Sequence, residues 1–450
     1  MQVFYSQAAM LRLGDLRGGR RFLSLLARSA VDYAASAAPA VAVQSSLARV
    51  AGILRSKRDA DGRFTIDTQH FPGWDPEVQS FSALLRWQRT TLLDAHGPPP
   101  TDEEIAQLPV RQPEDLEQPV PKGQMRATWL GHASVLTQWD GWTVLADPIF
   151  SHRCFPVQFV GPARLQPSPV QAADLPRVDA VVISHNHYDH LDLGSVRDLA
   201  SMPEPPMWFV PLGTKDWMQT WAGVHNIVEM DWGQQATLSH ADRADMRLTC
   251  LPCQHWCARG FIDKNRALWA SWLVSTGDAS MGPMLEGPEA DVACDGTAGG
   301  GAAAGESGSM AASFYFGGDT GYCGEVFRSI GRTFGQMDLA AIPIGAYGAE
   351  SETWFHGQNH MNPEEAVATR ADLNARHAIA VHWGTFRLTQ EPILEPKRRL
   401  EAAREAAGLE EGAFCALEHG ESRCFPLRRD ELCDEPAEEE AEEPAEEPRG

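Results

Sequence analysis

Apolar residues in this chain fall in short blocks parted by glycine, proline and polar residues, a rhythm of strands more than of long helices. Residues 127–130, 134–139 and 143–146 are three such blocks, separated by Gly131 and by Asp140-Gly141. Asp and Gly both tolerate positive φ, so Asp-Gly between two blocks predicts a tight hairpin. Later blocks predict buried strands at 178–183, 207–210, 246–251, 268–275, 314–316, 339–344 and 378–381. Helical spacing marks Phe81, Leu84, Leu85 and Leu92, a helix over 81–93 that packs on the main body and stops before Gly97-Pro98-Pro99-Pro100. A second helix is predicted over 363–373, with Asn362 as N-cap and Pro363 at its first position. Early meanders followed by alternating strands and helices indicate a mixed α/β body.

Punctuation and charge divide the chain further. Residues 1–58 form a basic N-terminal extension, 59–124 a helical region and connection, 125–429 the folded body, and 430–450 an acidic tail. The stretch 101–122 carries six Asp/Glu and four Pro and reads as a surface connection. Within the body, 281–312 is rich in Gly, Ala and Ser, the composition of a flexible insertion. With 14 Trp, 18 Phe and 43% hydrophobic residues, the 450-residue chain can bury a sizeable core, which excludes a wholly disordered protein.

The formal charge of −23 splits into +7 over residues 1–58, −10 over 430–450 and −20 between. An acidic body repels a phosphate backbone, so nucleic acid is excluded as a partner. The basic, Ser- and Ala-rich start has the composition of a transit peptide, with a mitochondrial or plastid address, or of a retained extension that packs or lies on a membrane surface. The apolar stretch 33–43 is too short to span a bilayer, and no transmembrane helix is predicted. Nine cysteines, an odd number in a long chain, predict reduced thiols in an intracellular compartment. Cys250, Cys253 and Cys257 have the spacing of a partial metal or cluster site, but no fourth thiol follows at a familiar distance, and ordinary buried or free cysteines are expected.

The densest chemistry is Ser184-His185-Asn186-His187-Tyr188-Asp189-His190, directly after the apolar block 178–183. A loop at a strand's end can turn these imidazoles and the carboxylate onto one cation, and both are ligands of borderline and moderately hard divalent metals. Three more candidates stand at strand ends: His255 in Leu251-Pro252-Cys253-Gln254-His255-Trp256, Asp319 in Gly317-Gly318-Asp319-Thr320-Gly321, and His382 after 378–381. The His-x-His-x-Asp-His signature and the order of these residues resemble the metallo-β-lactamase fold superfamily.

That resemblance implies a four-layer αββα sandwich with two metals at the edge of the paired sheets. His185, His187 and His255 would hold one metal, Asp189, His190 and His382 the other, and Asp319 would bridge them. Two dications roughly 3.5 to 4 Å apart can share a hydroxide that acts as nucleophile in a hydrolysis. Zinc is the first choice; iron and manganese also suit these ligands.

More of the chain narrows the substrate. Leu130-Gly131-His132-Ala133-Ser134, Ala146-Asp147-Pro148-Ile149-Phe150-Ser151, Pro252-Cys253-Gln254-His255-Trp256, Gly317-Gly318-Asp319-Thr320-Gly321-Tyr322 and His360-Met361-Asn362-Pro363-Glu364-Glu365-Ala366 resemble the N-acyl-phosphatidylethanolamine-hydrolysing phospholipase D family. The resemblance runs over about residues 60–400 and implies cleavage of that phospholipid to phosphatidate and N-acylethanolamine. It assigns catalysis to Asp189, Asp319 and His360, and substrate contact to Asn359 and His360; Asn359 stands where the animal members have Gln. His360 reads equally as a residue that satisfies polar groups at the start of the 363–373 helix. The family also implies a homodimer and peripheral membrane contact. Trp217, Trp221, Trp232, Trp256 and Trp354 lie near loops and strand ends where amphipathic rings suit a membrane interface, though most Trp belong in a core. The alternatives are a soluble lactonase or other phosphodiesterase of the superfamily, and a metal-binding scaffold without turnover.

Overall fold

The computed structural model describes residues 41–43, 48–50, 52–80, 83, 99–260, 262–277 and 312–428. The N-terminal extension up to residue 40, the expected helix over 81–93 apart from residue 83, the insertion apart from Ala312, and the acidic tail lie outside them.

Two sheets carry the body. The first has seven strands, in the spatial order Ile227–Met230, Met207–Pro211, Ala180–Val182, Trp142–Ala146, Ser134–Trp139, Gln124–Gly131 and Ser422–Pro426. Its first four strands run parallel and the rest antiparallel. Asp140 and Gly141 turn the hairpin with φ of 50° and 78°, pairing Trp139 with Trp142, as the Asp-Gly signal predicts. The second sheet runs Val41–Val43, Gln234–His240, Arg243–Leu251, Ser271–Thr276, Ala312–Phe316, Met337–Pro343, Ala375–Val381 and Phe414–Cys415, with Ala48–Arg49 also paired on Gln234–His240. It too passes from antiparallel to parallel, at Ala312–Phe316.

Side chains alternate faces along a strand, and that period sorts the core. Ala127, Trp129, Val135, Val144, Ala146, Ala180, Val182 and Phe209 of the first sheet pack with Leu248, Trp272, Val274, Phe314 and Phe316 of the second. Their neighbours Leu130, Leu136, Leu145, Val181, Ile183, Trp208 and Val210 face outward onto Val196, Leu199 and Met218 of the helices Leu193–Ala200 and Lys215–Ala222. On the far side of the second sheet, Pro363–Asp372 lies against Met337–Pro343 and Ala375–Val381, with Gly324–Phe334 and Glu395–Ala406 beside it. The layers are therefore helix, sheet, sheet, helix, the αββα sandwich expected from the motifs. Each large apolar side chain so buried contributes about 1.5–3 kcal/mol. The indole of Trp272 also donates to the Ile183 carbonyl at 2.9 Å, tying one sheet to the other immediately before the His-rich loop.

Some expectations shift in detail. The connection 101–122 contains a short helix, Asp102–Ala106, started by a Thr101/Glu104 capping box. Residues 57–80 form a two-stranded ribbon, Lys57–Arg58 with Phe64–Thr65, and a short 3-10 turn, Pro76–Gln79. Cys250, Cys253 and Cys257 are buried free thiols; Cys250 and Cys257 bond to the carbonyls of Met230 and Leu268. No cysteine enters a convergent ligand group among the described residues. Trp232 is a core residue whose indole donates to Trp269, so it leaves the set of interface candidates. Among the described residues no helix is long and apolar enough to cross a membrane.

Candidate metal centre

Every candidate ligand emerges where a strand ends, and the strands of the two sheets end together. His185 to His190 follow Ala180–Val182, squeezed between that strand and the helix Leu193–Ala200, whose first turn is capped by Asp192. The Arg259 guanidinium holds the loop from outside, donating to the carbonyls of Asn186 and Leu191 at 2.8 Å each. From the second sheet come His255 beyond Arg243–Leu251, Asp319 beyond Ala312–Phe316 and His382 beyond Ala375–Val381. Gly318 permits the meeting: its φ is +58°, and a Cβ there would lie 2.4 Å from the Cβ of Ser184.

The donors sort into two groups. In one, His187 Nδ1 lies 2.8 Å from His185 Nε2 and 3.3 Å from His255 Nε2. In the other, Asp189, His190 and His382 converge, with Asp189 Oδ2 at 3.5 Å from His190 Nε2 and 3.6 Å from His382 Nε2. Asp319 stands between them. Its Oδ2 is 3.1 Å from His190 Nε2, 3.7 Å from His255 Nε2 and 3.8 Å from His185 Nε2, while its Oδ1 is 3.0 Å from His382 Nε2.

Outer partners fix which nitrogen of each ring carries its proton. A carbonyl only accepts, so His255 Nδ1 donates to Asn359 O at 3.1 Å and its Nε2 presents a lone pair to the centre. The Asp147 carboxylate accepts from His190 Nδ1 at 2.6 Å, which turns His190 Nε2 toward the centre. Asp147 also accepts from the hydroxyl of Ser184, so that oxygen in turn accepts from His185 Nδ1 at 2.8 Å. Three ring nitrogens therefore point inward, each held by a partner behind it, the arrangement in which metal-binding imidazoles are kept.

Burial presses the same way at His185, His187 and His255. It draws the pKa of His185 well below the ordinary value and those of His187 and His255 to about 3, so these three imidazoles are neutral at pH 7. At His190 and His382 burial is outweighed by the carboxylates of Asp319 and Asp189, raising His190 and bringing His382 to about 9. Those carboxylates are correspondingly held well below their usual range despite burial. Of the atoms that face the centre, His190 Nε2, His382 Nε2 and Asp319 Oδ1 are buried with no well-formed hydrogen bond. Buried polar atoms left unpaired at one point are costly unless something binds them, and neutral imidazoles with carboxylates are the donor set of a divalent metal.

The remaining sequence candidates separate. His360 lies at the rim, its Nδ1 3.8 Å from Asp319 Oδ2 and its ring 5.2 Å from that of His255. It has no part in starting the next helix, because Asn362 and Glu365 form a reciprocal capping box there. Asn359 is buried: its carbonyl holds His255 and its side-chain amide donates to Phe355 O, so it orients a ligand from behind. Sequence reasoning passed over His132, Asp147 and Ser184 as functional residues. His132 Nε2 is 2.9 Å from Asp189 Oδ2. The available signals were a histidine flanked by glycine and small residues, and an acidic residue directly ending an apolar block.

Comparison with known proteins agrees with this geometry. The beta-lactamase superfamily domain matches residues 142–282 and 305–383. The chain is 36% identical over 301 residues, covering 66% of itself and 74% of the relative, to an N-acyl-phosphatidylethanolamine-hydrolyzing phospholipase D of Caenorhabditis elegans. It is 33% identical over 299 residues to a mitochondrial protein of the same description from Saccharomyces cerevisiae, spanning 66% of this chain and 55% of that one. An uncharacterized protein of Mycobacterium tuberculosis is 40% identical over 286 residues, 63% of this chain and 64% of the relative. With its donors, its sandwich and these relatives together, the chain belongs to the metallo-β-lactamase superfamily, in the family of the N-acyl-phosphatidylethanolamine-hydrolyzing phospholipases D.

Proposed function

We propose that this metal-dependent hydrolase cleaves the phosphodiester of N-acyl-phosphatidylethanolamine, releasing phosphatidate and N-acylethanolamine, at a centre for two divalent cations, zinc foremost. The observation that carries the reading is the Asp319 carboxylate, whose two oxygens reach both donor groups. His185, His187 and His255 would hold one cation and Asp189, His190 and His382 the other, with the Asp319 carboxylate within reach of both groups. When bound, such ions supply Lewis acidity toward phosphate oxygens and lower the pKa of water.

The chain's own side chains do the rest. Asp189 and Asp319 fix the charge of the centre, and Asn359 and Asp147 keep the imidazoles turned inward. His360 Nδ1 has no protein partner and faces the centre from the rim; burial draws its pKa well below the ordinary value, so it stands there as a neutral imidazole able to hydrogen-bond a phosphate oxygen. Trp256 walls the other side, its ring 4.7 Å from that of His187.

A lipid substrate fits the surface around the mouth. Among the described residues the exposed large hydrophobics are Phe159, Trp221 and Ile262, at 74%, 58% and 82% exposure. Their segments meet at Tyr188, next to His187: Phe155 packs on Tyr188 at 5.8 Å, and Arg259 stacks on Tyr188 at 4.1 Å and on Trp217, one helical turn before Trp221, at 4.0 Å. These three side chains would enter a membrane interface and present headgroups to the centre. The basic segment 1–58, together with the mitochondrial name of the yeast relative, supports an organelle address.

The test is mass-spectrometric product analysis with metal-quantified protein and N-acyl-phosphatidylethanolamine vesicles. Phosphatidate and N-acylethanolamine in equal amounts support the reading. Turnover of small lactones or soluble phosphodiesters without release from the phospholipid would replace it with a soluble hydrolase, and metal binding without turnover would leave a scaffold.

A further inference from the structure

A third imidazole stands against the donor group of Asp189, His190 and His382, hydrogen-bonded to its carboxylate. His132 is 1% exposed, and its Nε2 lies 2.9 Å from Asp189 Oδ2. A carboxylate only accepts, so the proton of this bond sits on His132 Nε2. Its ring lies 4.1 Å from that of His382 and 5.2 Å from those of His190 and Phe386. The backbone is pinned at both ends. His132 N donates to Thr385 Oγ1 at 2.6 Å, and His132 O accepts from His382 N and from the Trp129 indole, both at 2.8 Å. Both His132 and His382 sit at positive φ, 53° and 62°, a conformation that non-glycine residues hold only where neighbours impose it.

We infer that His132 is a positioning residue that holds Asp189 in its ligating orientation and so sets the affinity of one metal subsite, Asp189/His190/His382, independently of the other. The asymmetry follows from the contacts. His132 bonds to Asp189 and packs on His190 and His382, and its hydrogen bond and ring contacts go to that group rather than to His185, His187 or His255. Among the described residues Asp189 is the carboxylate that belongs to this group and not the other, since Asp319 is shared, so loss of its orientation removes negative charge from that group alone. The main-chain bond between His132 and His382 adds a second tie to the same group. Partners of this kind are worth about 10–100-fold in metal affinity.

The inference rests on the two-cation centre proposed above, and the experiment separates the two claims. Zinc content and stepwise chelator competition are measured on the full chain and on two variants. His132→Asn tolerates the left-handed backbone but is too short to reach Asp189; His132→Gln restores an N–H donor at about the reach of the imidazole. His255→Gln, which removes a donor from the other group, identifies which step belongs to which subsite. We expect the wild type to hold two ions, His132→Asn to hold one as the wild type does and the second about 10–100-fold more weakly, and His132→Gln to recover most of that loss. Should His132→Asn not fold by circular dichroism, His132→Gly, unstrained at this φ, takes its place. The inference is overturned if both ions weaken in parallel, if neither does, or if His132→Gln binds no better than His132→Asn. A wild type that binds fewer than two ions overturns the two-cation reading itself.

Discussion

Replacing Asp147 by Asn changes two atoms' chemistry and almost no volume, yet it should disturb both halves of the centre. Asp147 is fully buried; Oδ1 accepts from Ser184 N at 2.7 Å, and Oδ2 accepts from the Ser184 hydroxyl and from His190 Nδ1 at 2.6 Å. Through the hydroxyl it also sets the proton of His185. An amide has one accepting atom where the carboxylate has two, so whichever way the substituted side chain turns, a buried donor meets an N–H. Losing a charge-assisted bond costs about 1.5–3 kcal/mol, and the stranded donor adds about 1–3 kcal/mol. Relief from burying an anion, which raises the pKa of Asp147, offsets part of this. Metal-free protein should therefore lose about 2–3 kcal/mol in urea unfolding. Metal affinity should fall by about 10–100-fold in both subsites, because His190 belongs to one and His185 to the other. Chelator competition and urea titration on the same preparations measure the two effects. Loss of stability with both affinities intact would reduce Asp147 to a packing element, and loss at one subsite alone would refute the relay through Ser184.

Three further outcomes follow from the same geometry. Asp319→Asn should lower the affinity of both subsites and abolish hydrolysis together, since one carboxylate reaches both donor groups; full activity in that variant, read by product release, would falsify its bridging role. His419 is buried against Trp129 and near Arg164, which bring its pKa down from 6.5 to about 3, so the unfolded chain takes up a proton near pH 6.5 that the native state refuses until about pH 3. Stability is then lost as pH falls through that window, by about 2 kcal/mol at pH 5, and His419→Gln should unfold with a shallower dependence on pH than the wild type; equal slopes would contradict the assignment. Exchanging Phe159 and Ile262 for Ser removes about 1–2 kcal/mol of apolar contact each and should weaken sedimentation with phospholipid vesicles by about tenfold or more while leaving turnover of a soluble short-chain substrate unchanged. Unchanged sedimentation would detach these loops from any lipid surface.

What could be read along the chain depended on how local each signal was. The hairpin at Asp140-Gly141 and the capped helix at Asn362 were legible because a few adjacent residues determine them. Strand Gln234–His240 was not, since only Gln235, Ala236 and Leu238 are buried in an otherwise polar run. The seven candidate donors were legible because four crowd one short loop and the other three follow apolar blocks within a few residues. The outer layer was not: the link between Asp147 and His190 spans 43 positions, that between His132 and Asp189 spans 57, and nothing in either neighbourhood announces the other. His360 was ambiguous for the opposite reason. Its place just before a helix suggested capping, and only the capping box of Asn362 and Glu365 releases it for the centre.

The division of the donors between the sheets explains why that outer layer is so heavily built. His185, His187, Asp189 and His190 belong to the first sheet, and His255, Asp319 and His382 to the second, so each donor group takes members from both. A relative slide of the sheets by a fraction of an ångström would spoil both groups together, and apolar packing between the sheets has no directional bonds to prevent it. Directional ties occur at this edge: Trp272 to the Ile183 carbonyl, His382 N to His132 O, Ala270 N to Ser184 O, and the close approach of Gly318 to Ser184. Each joins one sheet to the other within a few residues of a candidate donor. The sandwich core supplies the bulk of the stability, whereas these few bonds supply register, and register is what a centre shared between two sheets requires.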